Sequence, residues 1–478
     1  MLSLFYVLIV AWLALYGMQA LVLTFLYLRH RAEIPAEVTM SSGAWPSVAV
    51  QLPVYNERHV VERLIDAAAA LDYPRECLEI QVLDDSTDDT TALAEARAAC
   101  HRARGVQVRV CHRPDRSNYK AGALAWGLEQ TRAEFLVVFD ADFRPHPDFL
   151  LRTIPQMVAR PELGIVQTRW SHLNEEYSAL TRAQSLALDG HFVVEQTGRS
   201  RSGLLINFNG SGGVWRRACI EQAGGWQADT MTEDMDLSYR AQLAGWQSLY
   251  MLDVDAPAEL PAQMEAFKRQ QARWAKGSVQ CLRKLGWPIL RSDLTVPQKL
   301  MALVHISSYL SHPLMILLLL VMLPMALRLQ PAHLPLFALG FAMIGPPLLY
   351  VVAQGALYKD WKKRILYFPF LAAVCAGITW STSRAVWQGL TSWGGTFART
   401  PKFRLEGRQG EWSRSVYCLV PDRAIFGEIL LMLYAMATAA VAWSRGNYGA
   451  VPFLMLYVGG FGLVAGMSLY QGLQRSVS

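Results

Sequence analysis

The stretch that decides the fold is residues 135–142, Phe135-Leu136-Val137-Val138-Phe139-Asp140-Ala141-Asp142. A short apolar run rich in β-branched and aromatic side chains predicts a buried strand. The carboxylates at its end predict a ligand site at one edge of a sheet. Similar runs lie outward from it at 47–52, 78–83 and 107–111, separated by helical stretches such as 60–71 and 90–102. Strands alternating with helices build a mostly parallel sheet with helices on both faces, and ligands collect at the carboxyl ends of its strands. We therefore expect an α/β domain over residues 45–285, with interfacial helices at its end.

Outside that domain the chain changes character. Hydrophobic residues make up 52% of 478 and charged residues only 18%, and the apolar excess sits at the two ends, which argues against a single soluble domain. Residues 2–28 are almost wholly apolar, longer than the roughly 20 residues a helix needs to cross a bilayer. With no charged leader and no small-residue cleavage site, residues 1–30 read as a retained transmembrane helix. Arg29, His30 and Arg31 follow at once, and the positive-inside bias then places the α/β domain in the cytoplasm of an inner or plasma membrane protein.

Beyond Pro297 an α-helical membrane domain is expected from five apolar segments, at 301–327, 333–357, 365–388, 422–443 and 449–470. The basic loop 359–364 reads as cytoplasmic, which makes a hairpin of residues 299–358. Five crossings would put the basic stretch 399–408 on the far side, so one segment should not cross. The third is the candidate, because Thr379, Ser381, Thr382, Ser383, Arg384 and Gln388 are too polar for lipid. Residues 365–415 are thus expected as an interface helix and a loop, and 420–472 as a second hairpin. The net charge of +6, without a long Lys/Arg run, argues against nucleic acid. Seven cysteines without a C-x-x-C pair indicate neither a zinc site nor a disulfide framework.

Four acidic or basic clusters carry candidate chemistry. Asp84-Asp85-Ser86 follows the strand at 78–83, where carboxylates can accept hydrogen bonds from a base or ribose; Ser86 or Asp88 would serve equally well as a helix N-cap. Asp140 and Asp142 can together hold a hard divalent cation that bridges a diphosphate, with Lys120 twenty residues earlier. In Thr232-Glu233-Asp234 one carboxylate can act as a general base, although a capped helix start has the same pattern. Gln270-x-x-Arg273-Trp274 lies in a basic amphipathic stretch: Arg can pair with phosphate oxygens and Trp offers a flat face for a sugar ring. Such a stretch also suits a membrane anchor.

In this order the four clusters resemble the motifs of family 2 inverting glycosyltransferases, specifically their processive membrane synthases of cellulose, hyaluronan and chitin type. The runs VFDADF, HFVVEQ, FNGSGGVW and TEDMDLSYRA are similar to the cellulose-synthase-like branch that includes glucomannan synthases. The resemblance implies a hexose transferred from a nucleotide-sugar donor, UDP-glucose favoured and GDP-mannose second, onto a growing β-linked glycan with coupled export. The alternative is non-processive glucosylation of a membrane lipid such as diacylglycerol. It implies that Asp84, Tyr55 and Glu57 contact the nucleobase, Lys120 the phosphates, Asp140 the ribose or diphosphate, and Asp142 a Mg2+ or Mn2+ ion. Asp234, beside Glu233, would be the catalytic base; Gln270 and Arg273 would hold the diphosphate, and Trp274 would stack under the acceptor. Residues Phe397, Arg399, Thr400 and Lys402 resemble the gating loop of these synthases, with Arg399 where the family usually has Val. No second-messenger domain is expected after the last apolar segment, and so small a membrane region implies an interface helix or a second copy to complete a channel.

Overall fold

The computed structural model describes residues 2–40, 45–328 and 340–476. Seven strands form one sheet: β1 (Val48–Val54), β2 (Leu78–Asp84), β3 (Val108–His112), β4 (Phe135–Val138), β5 (Leu163–His172), β6 (Gly213–Arg216) and β7 (Gln247–Ala258). Their order is β3-β2-β1-β4-β6-β5-β7. All neighbours are parallel except β6, which runs antiparallel to β4 and β5. The reversal into β6 passes through Gly210 (φ +85) and Gly212 (φ +66), a left-handed backbone that glycine adopts without a Cβ penalty.

The period of two along β1 explains why the sheet is covered twice. Val48, Val50, Leu52 and Val54 pack into one core with Val61, Leu64 and Ile65 of the helix Val61–Ala69 and with Phe149 and Ile154 of the helix Phe149–Ala159. Ala49 faces the opposite core, with Leu136, Val138, Leu124 of the helix Tyr119–Glu129 and Leu237 of the helix Glu233–Leu243. Each fully buried aliphatic side chain contributes roughly 1.5–3 kcal/mol. Strand order turns outward on either side of the β1/β4 pair, so a crevice opens at their carboxyl ends. Val54 is level with Asp84, and Gln51 with Val138, which brings the segments after β1, β2 and β4 to one rim.

After β7 the chain enters a 28-residue helix, Met264–Arg291, that carries Gln270, Arg273 and Trp274. The helix Thr379–Thr391 lies against it where Gly389 approaches the Lys276 carbonyl, leaving no room for a Cβ. Among the described residues four helices are long and apolar enough to cross a membrane: Leu2–His30, Ser308–Leu327, Ala424–Ser444 and Tyr448–Gln474. A fifth candidate is the pair Trp361–Gly377 and Thr379–Thr391, bent by 48°; this is the polar third segment of the sequence. The second apolar segment is described only from 340 onward, and the turn of the expected first hairpin lies outside the described residues. Gly345 fits against the Gly17 carbonyl and Gly198 against that of Leu23, so small residues fasten the first helix both to the helix Gly345–Leu357 and to the α/β domain.

Candidate active site

One cavity at the carboxyl rim of the sheet gathers Tyr55, Glu57, Lys120, Asp140, Asp142, Glu233, Asp234, Gln270, Arg273, Trp274, Phe397, Arg399, Thr400 and Lys402. These residues come from segments more than three hundred positions apart. The strands fix the floor, and the long helix Met264–Arg291 supplies one wall.

Asp140 and Asp142 each meet an ammonium. Lys120 Nζ lies 2.6 Å from Asp140 Oδ1 and donates also to the Gly210 carbonyl at 2.8 Å. Lys402 Nζ, arriving from the far end of the chain, is 2.7 Å from Asp142 Oδ2. Burial works against both lysine charges, but the facing carboxylates outweigh it and hold each lysine above its ordinary pKa.

The second acidic pair is built differently. Lys120 is 3.9 Å from Glu233, and Asp234 has no lysine or arginine within ion-pair distance among the described residues. Burial, and then the neighbouring Glu233, push Asp234 up to about 7; burial raises Glu233 as well. Met235 N donates to Asp234 Oδ1 at 2.8 Å, and Gly210 lies against the other oxygen, where a Cβ would come within 2.7 Å of Oδ2. Asp234 therefore holds the fixed position and the proton affinity of a general base working near neutrality.

The loop carrying Phe397 to Lys402 sits in the cavity mouth. Arg273 lies over the Phe397 ring at 4.5 Å and donates to the Ala398 carbonyl. Phe397 stacks on Tyr119, and Arg399 reaches Glu57 at 3.2 Å while its guanidinium covers Tyr417. Burial pushes Glu57 up to about 8 against the pull of Arg399 and Lys402. Behind the loop, Glu259 accepts from the backbone of Phe403 and Leu405, which ties the segment to the end of β7.

Of the residues singled out in the sequence, Asp84 alone does not line the cavity. It is fully buried and accepts from Ser86 N and Thr91 Oγ1 while pairing with His112, so it braces the turn after β2. Its neighbour Asp85 lines the cavity instead, gripped bidentately by Arg113, because successive side chains at a strand end point to opposite sides. Arg116, Asn209 and Glu259 also line it and were not singled out. Arg116 lies 3.4 Å over the Tyr55 ring. Only Asn209 carried a signal, through the FNGSGG run.

Comparison with known proteins agrees with this geometry. Residues 46–277 match the family described as "Glycosyltransferase like family 2". A probable glucomannan 4-beta-mannosyltransferase 3 of Oryza sativa subsp. japonica is 34% identical over 447 residues, covering 89% of this chain and 80% of that protein. The chain belongs to the family 2 glycosyltransferases, in their cellulose-synthase-like branch. A glucomannan 4-beta-mannosyltransferase 2 of Arabidopsis thaliana is 44% identical to this glycosyltransferase over 257 residues, 53% of the chain but only 48% of the relative. Several relatives are thus matched over about half their length. In fold, the glycosyltransferase superposes on a mannosyltransferase from Pyrobaculum calidifontis, solved in complex with GDP-Man and Mn2+, with a TM-score of 0.54 at 21% identity, over 82% of this chain and 99% of the other.

Proposed function

We propose that this glycosyltransferase moves mannose from GDP-mannose onto the end of a growing β-1,4-linked glycan at the cytoplasmic face of an inner or plasma membrane, with export of the product. The sequence alone favoured UDP-glucose with GDP-mannose second; the names of the relatives reverse that order. The observation that carries the reading is the single cavity in which Asp234, with its raised proton affinity, faces the same space as Lys120, Arg273 and the Asp140/Asp142 pair.

The acceptor hydroxyl attacks the anomeric carbon in line with the departing diphosphate. Asp234 takes the hydroxyl proton as the new C–O bond forms, and the old anomeric C–O bond breaks with its electron pair going to the nucleoside diphosphate. Lys120 and Arg273 meet the charge that grows on the leaving group. Trp274 offers the acceptor ring a stacking face, and the 397–402 loop excludes water when closed. Among the described residues no three His, Cys, Asp or Glu side chains group to hold a metal by themselves. Two carboxylates completed by donor phosphates do suit a hard cation, so Asp140 and Asp142 are the residues that would hold Mg2+ or Mn2+. The ion would supply further neutralisation of the leaving diphosphate.

The test is incubation of the purified chain in detergent with labelled GDP-mannose or UDP-glucose and Mg2+ or Mn2+. We expect GDP-mannose to be consumed and label to appear in a water-phase or insoluble glycan. Label in a chloroform-soluble lipid would select the lipid-acceptor alternative, and consumption of UDP-glucose alone would refute the donor assignment.

A further inference from the structure

Behind the wall that carries Gly210 lies a half-buried polar chain that the mechanism above does not use. The helix Ala179–Asp189 continues into a π-helical turn, Gly190–Gln196, a rare geometry that recurs at functional sites. On that turn Glu195 Oε2 lies 2.8 Å from His191 Nδ1, and His191 Nε2 lies 2.9 Å from the Asn209 side-chain nitrogen.

Which atom of the Asn209 amide is the nitrogen follows from the partners of its oxygen. Asn209 Oδ1 accepts from Gln196 Nε2 at 2.7 Å and from Asn207 Nδ2 at 3.1 Å, and Gln196 Nε2 is itself committed to the Asn207 carbonyl at 2.9 Å. A flipped amide would set N–H against N–H. Asn209 Nδ2 is therefore the donor to His191, so His191 Nε2 must accept and its Nδ1–H must donate to Glu195. One Asn209 N–H is consumed by this bond. The other has no partner among the described residues, on a residue that lines the cavity directly beside Gly210, whose backbone abuts Asp234. The main chain there is held too, since Asn209 N donates to Gln167 Oε1 at 2.8 Å.

We propose that His191, held in one tautomer by Glu195, is a positioning residue for the acceptor: it orients the Asn209 amide so that the free N–H meets an oxygen of the incoming sugar next to Asp234. This rests on the glycosyl-transfer reading above. His191 touches no substrate; it holds the nitrogen end of an amide whose oxygen Gln196 and Asn207 already hold, so its loss loosens that end, weakens acceptor placement and leaves the donor half of the cavity alone.

The experiment measures KM separately for GDP-mannose and for a short acceptor, mannotetraose, in full-length wild type, Asn209→Ala, Asn209→Asp, His191→Phe and His191→Gln. Losing one hydrogen bond of this kind is expected to raise the acceptor KM about tenfold in both Asn209 variants and in His191→Phe, with the GDP-mannose KM held. His191→Gln, whose side-chain carbonyl can accept from the amide, should recover part of that loss; a merely structural role for His191 would give no such rescue. Donor and acceptor KM moving together, or an unchanged acceptor KM in Asn209→Ala, would overturn the proposal. A wild type that turns over no nucleotide sugar would instead overturn the transfer reading, and this one with it.

Discussion

Two acidic pairs share one cavity and are treated in opposite ways. Asp140 and Asp142 each face a lysine, at 2.6 and 2.7 Å. Glu233 has Lys120 only at 3.9 Å and Asp234 has no lysine or arginine within ion-pair distance among the described residues; burial pushes both upward, Asp234 further by Glu233 and Glu233 further by Asp140. The same residue types thus acquire two roles from their surroundings. The pair matched with cations suits a fixed anionic cradle, whereas the undercompensated pair is left with an appetite for a proton. Burial and, after it, the like-charge neighbour are costly in a purely structural position, but they raise Asp234 into the range that suits a base near neutrality.

The comparison can be broken at Asp234. Asp234→Asn should lower transfer by about 10² to 10⁴-fold while nucleotide binding, measured by calorimetry, stays within about twofold; parallel loss of both would reduce Asp234 to a structural residue. Next in size, Lys120→Met should cost about 10²-fold in kcat. Because the Lys120 charge pulls Asp234 downward, the acidic limb of its pH profile should also move to higher pH. An unmoved limb would separate Lys120 from the base.

In the wild type, kcat/KM should fall about tenfold per pH unit as pH drops below about 7, since Asp234 must be ionised to accept a proton. For stability the sign is opposite. A carboxyl raised in the folded chain favours folding most below its unfolded pKa, and that contribution is lost as pH climbs through about 7. Asp234→Asn should therefore flatten thermal stability between about pH 4 and 7, which a melting series would show. The smallest effect is expected at Gly210→Ala. Its Cβ would meet Asp234 Oδ2 at 2.7 Å on a backbone with φ +85, and a strain of about 1–2 kcal/mol should cost roughly tenfold in kcat, checked by steady-state assay.

Much of this was legible in the sequence because each strand of the first half carries its own signal. The apolar runs at 78–83 and 135–139 fall on β2 and β4 within a residue, and the helix read at 90–102 is Thr90–Arg102. The antiparallel β6 was not legible: four residues after a glycine-rich reversal show no period. Nor was the choice between Asp84 and Asp85, which depends on which side of the strand end each side chain takes. The Lys402–Asp142 contact joins residues 260 positions apart, and no local pattern encodes it. The π-helical turn over Gly190–Gln196 was equally hidden, since nothing in the run HFVVEQ marks one extra residue per turn.

The most direct test of the account is a cryo-EM map of the full chain with GDP and Mn2+. The diphosphate should lie between Lys120, Arg273 and the Asp140/Asp142 pair, with the base toward Tyr55 and Asp234 left open to the acceptor side. Nucleotide density anywhere outside that cavity, or a diphosphate seated on Asp234, would contradict it.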